Sequence, residues 1–181
     1  MNKWFMIIGS CFLCVGLFFF ILPKVLDYHH HQNVKKVVHE YHIDNNHSKD
    51  DPEGILHIPS VNIKEPVYHG PATDQQLDKG LSFVTSSESI NDHNISIAGH
   101  RMEGRHVQFN DLKDVKKGAT VYFDINDSKR KYKIVDIKKV SPNDVAVLDE
   151  TRDKQLTLIT CDDYQNGKWL KRLVYIAKEV A

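Results

Sequence analysis

Apolar positions along this chain fall into two unlike textures. From Trp4 to Leu22 the run WFMIIGSCFLCVGLFFFIL carries no charged residue. At the α-helical rise those nineteen residues reach about 28 Å, close to the hydrocarbon thickness of a bilayer, so the run predicts one N-terminal transmembrane helix. A cleavable signal would show a shorter apolar run followed by a small-x-small site. The chain continues instead as FFFILPKVLDYHH, which predicts a retained anchor. Lys3 and Lys24 flank the span almost symmetrically, leaving the positive-inside bias weak. The short tail ahead of the span favours an inward N-terminus and an outward C-terminus.

Asp27 to Pro52 is polar and histidine-rich, with no sustained apolar face beyond a short VKKVVHEYHI patch fit for a helical turn or two. It predicts a stalk lifting the following domain off the membrane. His29, His30 and His31 are able to bind a transition metal, but such a tract reads more simply as a solvated tether. From Gly54 the pattern turns to short β-like runs: GILHIP, NIKEPVYH, NISIAGH, TVYFDIN, KRKYKIVDIKKV, QLTLITC and KRLVYIAKEV. Turn residues separate them, and only Asp74–Lys79 and Phe109–Val115 suit short helices. Without long amphipathic helices between strands, the pattern predicts an all-β, closed or nearly closed antiparallel barrel rather than a parallel α/β sheet. The expected organisation is 1–26 tail and anchor, 27–52 stalk, and 53–181 barrel.

Charge changes the picture by exclusion. Lysine plus arginine and aspartate plus glutamate both total 24, with a pI near 7.2, against the strong basic excess of a nucleic-acid binder. Cysteine changes it by position. Cys11 and Cys14 lie inside the apolar span, where small residues filling a membrane helix are a better account of C-x-x-C than a redox pair. Cys161 is then the sole thiol of the soluble part, with no partner for an internal disulfide, and an unpaired exported thiol points to reactivity.

Strand alternation decides which side chains share a face. In Gln155–Cys161 one face carries Leu156, Leu158 and Thr160, the other Thr157, Ile159 and Cys161. In Asn94–His100, Ile95, Ile97 and Gly99 oppose Ser96, Ala98 and His100. Cys161 and His100 both stand at expected strand ends, where a barrel opens into loops. With a hairpin loop over Asp162–Leu170, Arg172 falls within reach of Cys161. A guanidinium beside a thiol favours thiolate and can donate two hydrogen bonds to a carbonyl, while an imidazole moves the proton. Singly, Cys161 reads as a small buried hydrophobe and His100 as one structural histidine among 11; the constellation is what shifts the reading.

NISIAGH, then LTLITC, then WLKRLVYIAKEV resemble the class A sortases, of the staphylococcal type, over about Gly54 to Val180. The resemblance implies a closed eight-stranded sortase-type β-barrel with short helices behind one transmembrane helix. It implies a cysteine transpeptidase that cleaves a Leu-Pro-x-Thr-Gly signal between Thr and Gly, forms a thioester, and passes the acyl group to an amine of the peptidoglycan precursor, lipid II. Partners would be surface proteins bearing that signal, and the site of action the cell membrane, with the catalytic domain outside. Carried over by position, Cys161 is the nucleophile, His100 the general acid/base, and Arg172 the group that binds substrate backbone and steadies the oxyanion. Ala98, Pro142, Val145, Val147, Leu148, Thr157, Ile159 and Trp169 would line the signal groove.

No cofactor is required by this chemistry, but calcium activates some class A members. The matching positions are Glu88, Asp92 and Glu150, with Thr85 where another carboxylate would stand; a calcium site and plain surface acids both fit these residues. The segment between Cys161 and Arg172 is shorter than the family pattern, so the acceptor is what transfers least. Two other functions fit the same residues: a thiol hydrolase that releases the acyl group to water, and a surface binding module in which Cys161 is structural.

Overall fold

A computed structural model describes residues 3–43, 51–102, 107–125 and 128–180. A helix, α1, runs unbroken from Lys3 to Ile43 through Pro23. Its apolar half is long and apolar enough to cross a membrane and exposes large side chains all round, among them Phe12, Leu13 and Phe19, as a helix solvated by lipid would.

The expected tether is corrected here. Up to Ile43 the segment after Asp27 is helix, and it is docked rather than free. Val34, Val38 and Tyr41 recur on one face and bury against Ile55, and Tyr41 Oη donates to the carbonyls of Glu53 at 3.3 Å and Asp124 at 3.5 Å. The stripe is thin, which is why it does not register as a helical face until Ile55 is there to complete it. The remainder, 44–50, lies outside the described residues.

Eight strands follow: β1 Gly54–Ile58, β2 Ile63–Tyr68, β3 Leu81–Phe83, β4 Asn94–Ala98, β5 Thr120–Ile125, β6 Ser128–Val140, β7 Gln155–Gln165 and β8 Lys168–Glu179. They close as β1-β2-β3-β4-β7-β8-β6-β5, with β5 back against β1. Two neighbouring pairs, β2–β3 and β4–β7, run parallel. β3 is absent from the sequence expectation because three residues are too few to show a period. A short helix α2, Asp74–Leu77, starts at Thr73, whose Oγ1 accepts the Gln76 N–H, as a helix N-cap does. A 3-10 turn covers Asn110–Asp114.

Inside the barrel, Leu156, Leu158, Ile95, Ile97, Phe83, Phe109, Phe123 and Tyr175 form one core. The faces of β4 and β7 assigned by alternation are the faces observed. Gly99 marks where the core comes closest: a Cβ there would lie 2.5 Å from Leu81 Cδ2 and 2.6 Å from Phe109 Cδ2. No larger residue fits without moving the phenyl ring that closes the barrel beneath His100.

Candidate active site

The parallel pair β4–β7 builds the site. Asn94 stands opposite Gln155, Ser96 opposite Thr157 and Ala98 opposite Ile159. Beyond the last pair, Gly99 N–H donates to Ile159 O at 3.1 Å, and Thr160 Oγ1 donates to Gly99 O at 2.9 Å. The same step, continued by two residues on each chain, carries His100 to the level of Cys161. Alternation then places both on the side already occupied by Ala98 and Ile159. β8 supplies the third group, since Cys161 pairs directly with Arg172 across the antiparallel ladder.

One expectation about this hairpin is corrected. Cys161 does not end its strand: β7 continues to Gln165 and β8 begins at Lys168. The connection is a two-residue turn, Asn166–Gly167, with both φ values positive. That is the Asn-Gly turn whose twist suits an antiparallel hairpin. A run of polar residues conceals the strand extension because both of its faces are outside the core.

His100, Cys161 and Arg172 all line one cleft of about 560 Å³. Of the expected groove residues, Ala98, Pro142, Val145, Val147, Leu148, Ile159 and Trp169 line it too. Thr157 does not. It is fully buried, and its Oγ1 donates to Asn94 Oδ1 at 2.7 Å. Asn94 in turn donates to the carbonyls of Val147 at 3.1 Å and Asp149 at 2.9 Å, so the segment carrying Val147 and Leu148 roofs Thr157. Alternation assigns its face correctly, but the roof cannot be read from the strand alone.

Cys161 is half-buried, and burial pushes its thiol pKa up, while the positive charges of Arg172 and Arg101 pull against that shift without cancelling it. His100 Nε2 lies 3.8 Å from the exposed Asp78 carboxylate, too far for a hydrogen bond. The imidazole is thus left available to the cleft.

Arg101 is a residue the sequence reading missed. Its Nη1 donates to the carbonyl of Cys161 at 3.4 Å and to the Asp162 carboxylate. Its guanidinium lies 5.7 Å from the centre of the Trp169 ring, which also packs against Tyr164 at 4.9 Å. Asp162 is buried, which raises its pKa, but Lys139 Nζ at 2.6 Å and Arg101 together overcome burial and hold the carboxyl below the usual range. Arginine next to a candidate histidine is the only sequence signal for Arg101, and it does not say which strand the side chain will meet.

The three acids proposed for calcium are engaged elsewhere. Glu88 accepts the backbone N–H groups of Thr85 at 2.7 Å and Ser96 at 2.8 Å, one on each oxygen. Asp92 accepts Ser89 N–H at 2.8 Å and Glu150 accepts His93 N–H at 3.3 Å. Among the described residues no group of three His, Cys, Asp or Glu side chains converges to hold a metal. As arranged, the donor set does not make a calcium site, which needs several oxygens aimed at one point.

Residues 56–180 match the family described as a sortase domain. The chain is 42% identical to Sortase A of Staphylococcus aureus, over 99% of this chain and 97% of that protein. It is 32% identical to Sortase A of Listeria monocytogenes, over 65% of this chain and 52% of that protein. Among solved structures, sortase A of Listeria monocytogenes superposes with a TM-score of 0.66 at 28% identity, covering 73% of this chain and 89% of that one. Sortase C-1 of Actinomyces oris gives 0.66 at 25% identity, covering 82% of each. Likeness in sequence therefore extends through the N-terminal apolar helix as well as the barrel, and the cleft lies within the matched region. The chain belongs to the sortases, a family of cysteine transpeptidases.

Proposed function

We propose that the chain cleaves a Leu-Pro-x-Thr-Gly-type sorting signal between Thr and Gly through a thioester on Cys161, and passes the acyl group to an amine of the peptidoglycan precursor, lipid II. The observation that carries this reading is the shared step of β4 and β7, which brings His100 level with Cys161 while Arg172 faces the thiol from β8.

His100 takes the Cys161 proton as sulfur attacks the threonine carbonyl carbon. Arg172 donates hydrogen bonds to the oxygen as it gains negative charge. The C–N bond breaks, His100 returns the proton to the departing glycine nitrogen, and a thioester remains. An incoming amine then attacks the thioester, loses its proton to His100, and displaces the thiolate, which recovers that proton. Apolar walls from Ala98, Val147, Leu148 and Ile159 suit the Leu and Pro of a signal. Trp169 covers the end nearest the hairpin.

Trp4–Leu22 anchors the chain with its N-terminus inside and the barrel outside, where surface proteins bearing the signal emerge. Calcium has no part in this reading: Thr85 stands where a further carboxylate would be needed, and Glu88 already serves two backbone amides.

The test is mass spectrometry of the chain after exposure to a signal peptide, with and without oligoglycine. An acyl adduct on Cys161, and amine-dependent product, are expected; no adduct, or hydrolysis unchanged by amine, would sink the transpeptidase assignment. Cys161→Ala, folded but inert, separates this reading from a binding module.

A further inference from the structure

We infer that α1 helps to position the catalytic histidine, through a hydrogen-bonded chain from His30 to Glu65 to Gln108 to the backbone of His100. This rests on the reading of His100 as acid and base. Glu65 on β2 is 3% exposed, and a buried carboxylate is costly unless its oxygens are met. His30 Nε2 lies 2.9 Å from one oxygen and 3.2 Å from the other. Because a carboxylate only accepts, Nε2 is the donor. Gln108 N–H donates to the first of these oxygens at 3.1 Å.

Gln108 itself has φ of 47°, a left-handed conformation that a glutamine adopts at a cost and keeps only when its surroundings hold it there. Three bonds do so. Besides the Glu65 contact, Gln108 Nε2 donates to Leu77 O at 2.5 Å, and Gln108 Oε1 accepts the His100 N–H at 2.7 Å. The next residue, Phe109, donates its N–H to His100 O at 3.3 Å. Both backbone polar groups of His100 are thus fixed from residues 108 and 109. The direction of its Cα–Cβ bond, and so the imidazole's approach to Cys161, depends on them.

His30 lies eight residues beyond Leu22 on the same unbroken helix, about 12 Å along its axis. The contact therefore ties the barrel to the membrane-spanning part, beside the apolar patch of Val34, Val38, Tyr41 and Ile55. Gln108 and Glu65 are positioning residues, and His30 extends their chain to the anchor.

The experiment uses the full-length chain in detergent micelles, with a labelled signal peptide and oligoglycine. Turnover, KM for the peptide, melting temperature and the pH profile of Cys161 alkylation by iodoacetamide are measured. Gln108→Asn keeps a residue that tolerates left-handed backbone but is one methylene too short to span Leu77 and His100. It should lower kcat on the order of tenfold, with KM within about twofold, and displace the alkylation profile while melting shifts only a few degrees. Glu65→Gln supplies the same readouts should that variant not fold. His30→Ala should lower kcat roughly threefold, and His30→Gln should restore it, since its amide N–H can replace the Nε2–H donor. Wild-type kcat and profile in Gln108→Asn, an unchanged kcat in His30→Ala, or no rescue by His30→Gln would each overturn the inference. His100→Ala is the separate control: turnover surviving in it would defeat the acid–base assignment itself, independently of the chain that holds His100.

Discussion

The cleft has two walls built on different principles. The β4–β7 wall is parallel, buried over most of its length and locked by the paired side chains of Asn94, Thr157 and Gln155, while the buried Ser96 hydroxyl beside them has no partner among the described residues. Asn94 uses its amide to reach Val147 and Asp149, while its oxygen receives Thr157 and Gln155 Nε2, the latter at 3.3 Å. The β7–β8 wall is an antiparallel hairpin whose tip stands in water, steadied by Arg101, Lys139, Asp162 and Trp169. A network in a water-excluded site is costly to disturb, whereas ring contacts at a solvated tip are worth little each, and the buried Asp162 holds two cations, so it keeps Lys139 when Arg101 is lost. The first wall therefore fixes the spacing of His100 and Cys161. The second supplies positive charge and a surface that can vary without unfolding the barrel.

The difference can be broken at several depths. Arg172→Lys attacks the charged wall at its reacting end. A point charge cannot replace a planar fork, so turnover should fall on the order of a hundredfold with melting unchanged; near wild-type turnover would remove Arg172 from the oxyanion role. Arg172→Ala adds a pH test. Burial already raises the Cys161 thiol and Arg172 opposes that rise, so removing the guanidinium moves the alkylation midpoint further up, and reactivity at neutral pH falls. A midpoint that moves down would contradict the charge argument.

Asn94→Ala attacks the buried wall. It removes the acceptor of the Thr157 hydroxyl and the donor to the carbonyls of Val147 and Asp149, for a loss of about 1–3 kcal/mol of stability, read from the denaturant midpoint, and a raised KM for the signal. A variant as stable as wild type would mean the network is not what holds the roof. Arg101→Ala frees Trp169 and the hairpin tip, and should lower kcat/KM roughly fivefold with little change in melting. A collapse of stability instead would show the tip to be as rigid as the floor. Smallest of all is calcium. Added Ca²⁺ should change the rate by less than about twofold; a larger rise, abolished in Glu150→Gln, would restore the metal reading.

How legible each wall is follows from the same contrast. β7 and β8 announce themselves through apolar alternation, and closing a hairpin brings Arg172 within reach of Cys161, but their direct pairing depends on strand residues that the sequence reads as loop. β4 carries its alternation just as openly, but nothing local tells that it runs parallel to β7, because that pairing joins residues some sixty positions apart. His100 was reached through the order of three segments resembling one family, not through strand parity. Thr157 lies beneath the cleft and not on it because the roof from Val147–Asp149 is a contact between distant segments.

Residue types and their periods alone determined the N-terminal apolar helix, most of the strands, the lone thiol outside that helix and the chemistry that a thiol, an imidazole and a guanidinium can share. These are properties of short stretches: a period of two, a period near 3.6, a side chain's pKa and donors. Tertiary structure decided which strands are neighbours, that β7 and β8 extend past the cysteine, that Arg101 turns toward Asp162 and Trp169, and that the segment from Asp27 to Ile43 is a helix packed on the barrel. It also set a buried glutamate between an anchor histidine and the loop that holds His100. The reason is physical. Each of those outcomes depends on surface that exists only after distant segments have met, and no local pattern carries the free energy of a contact with a partner not yet in place.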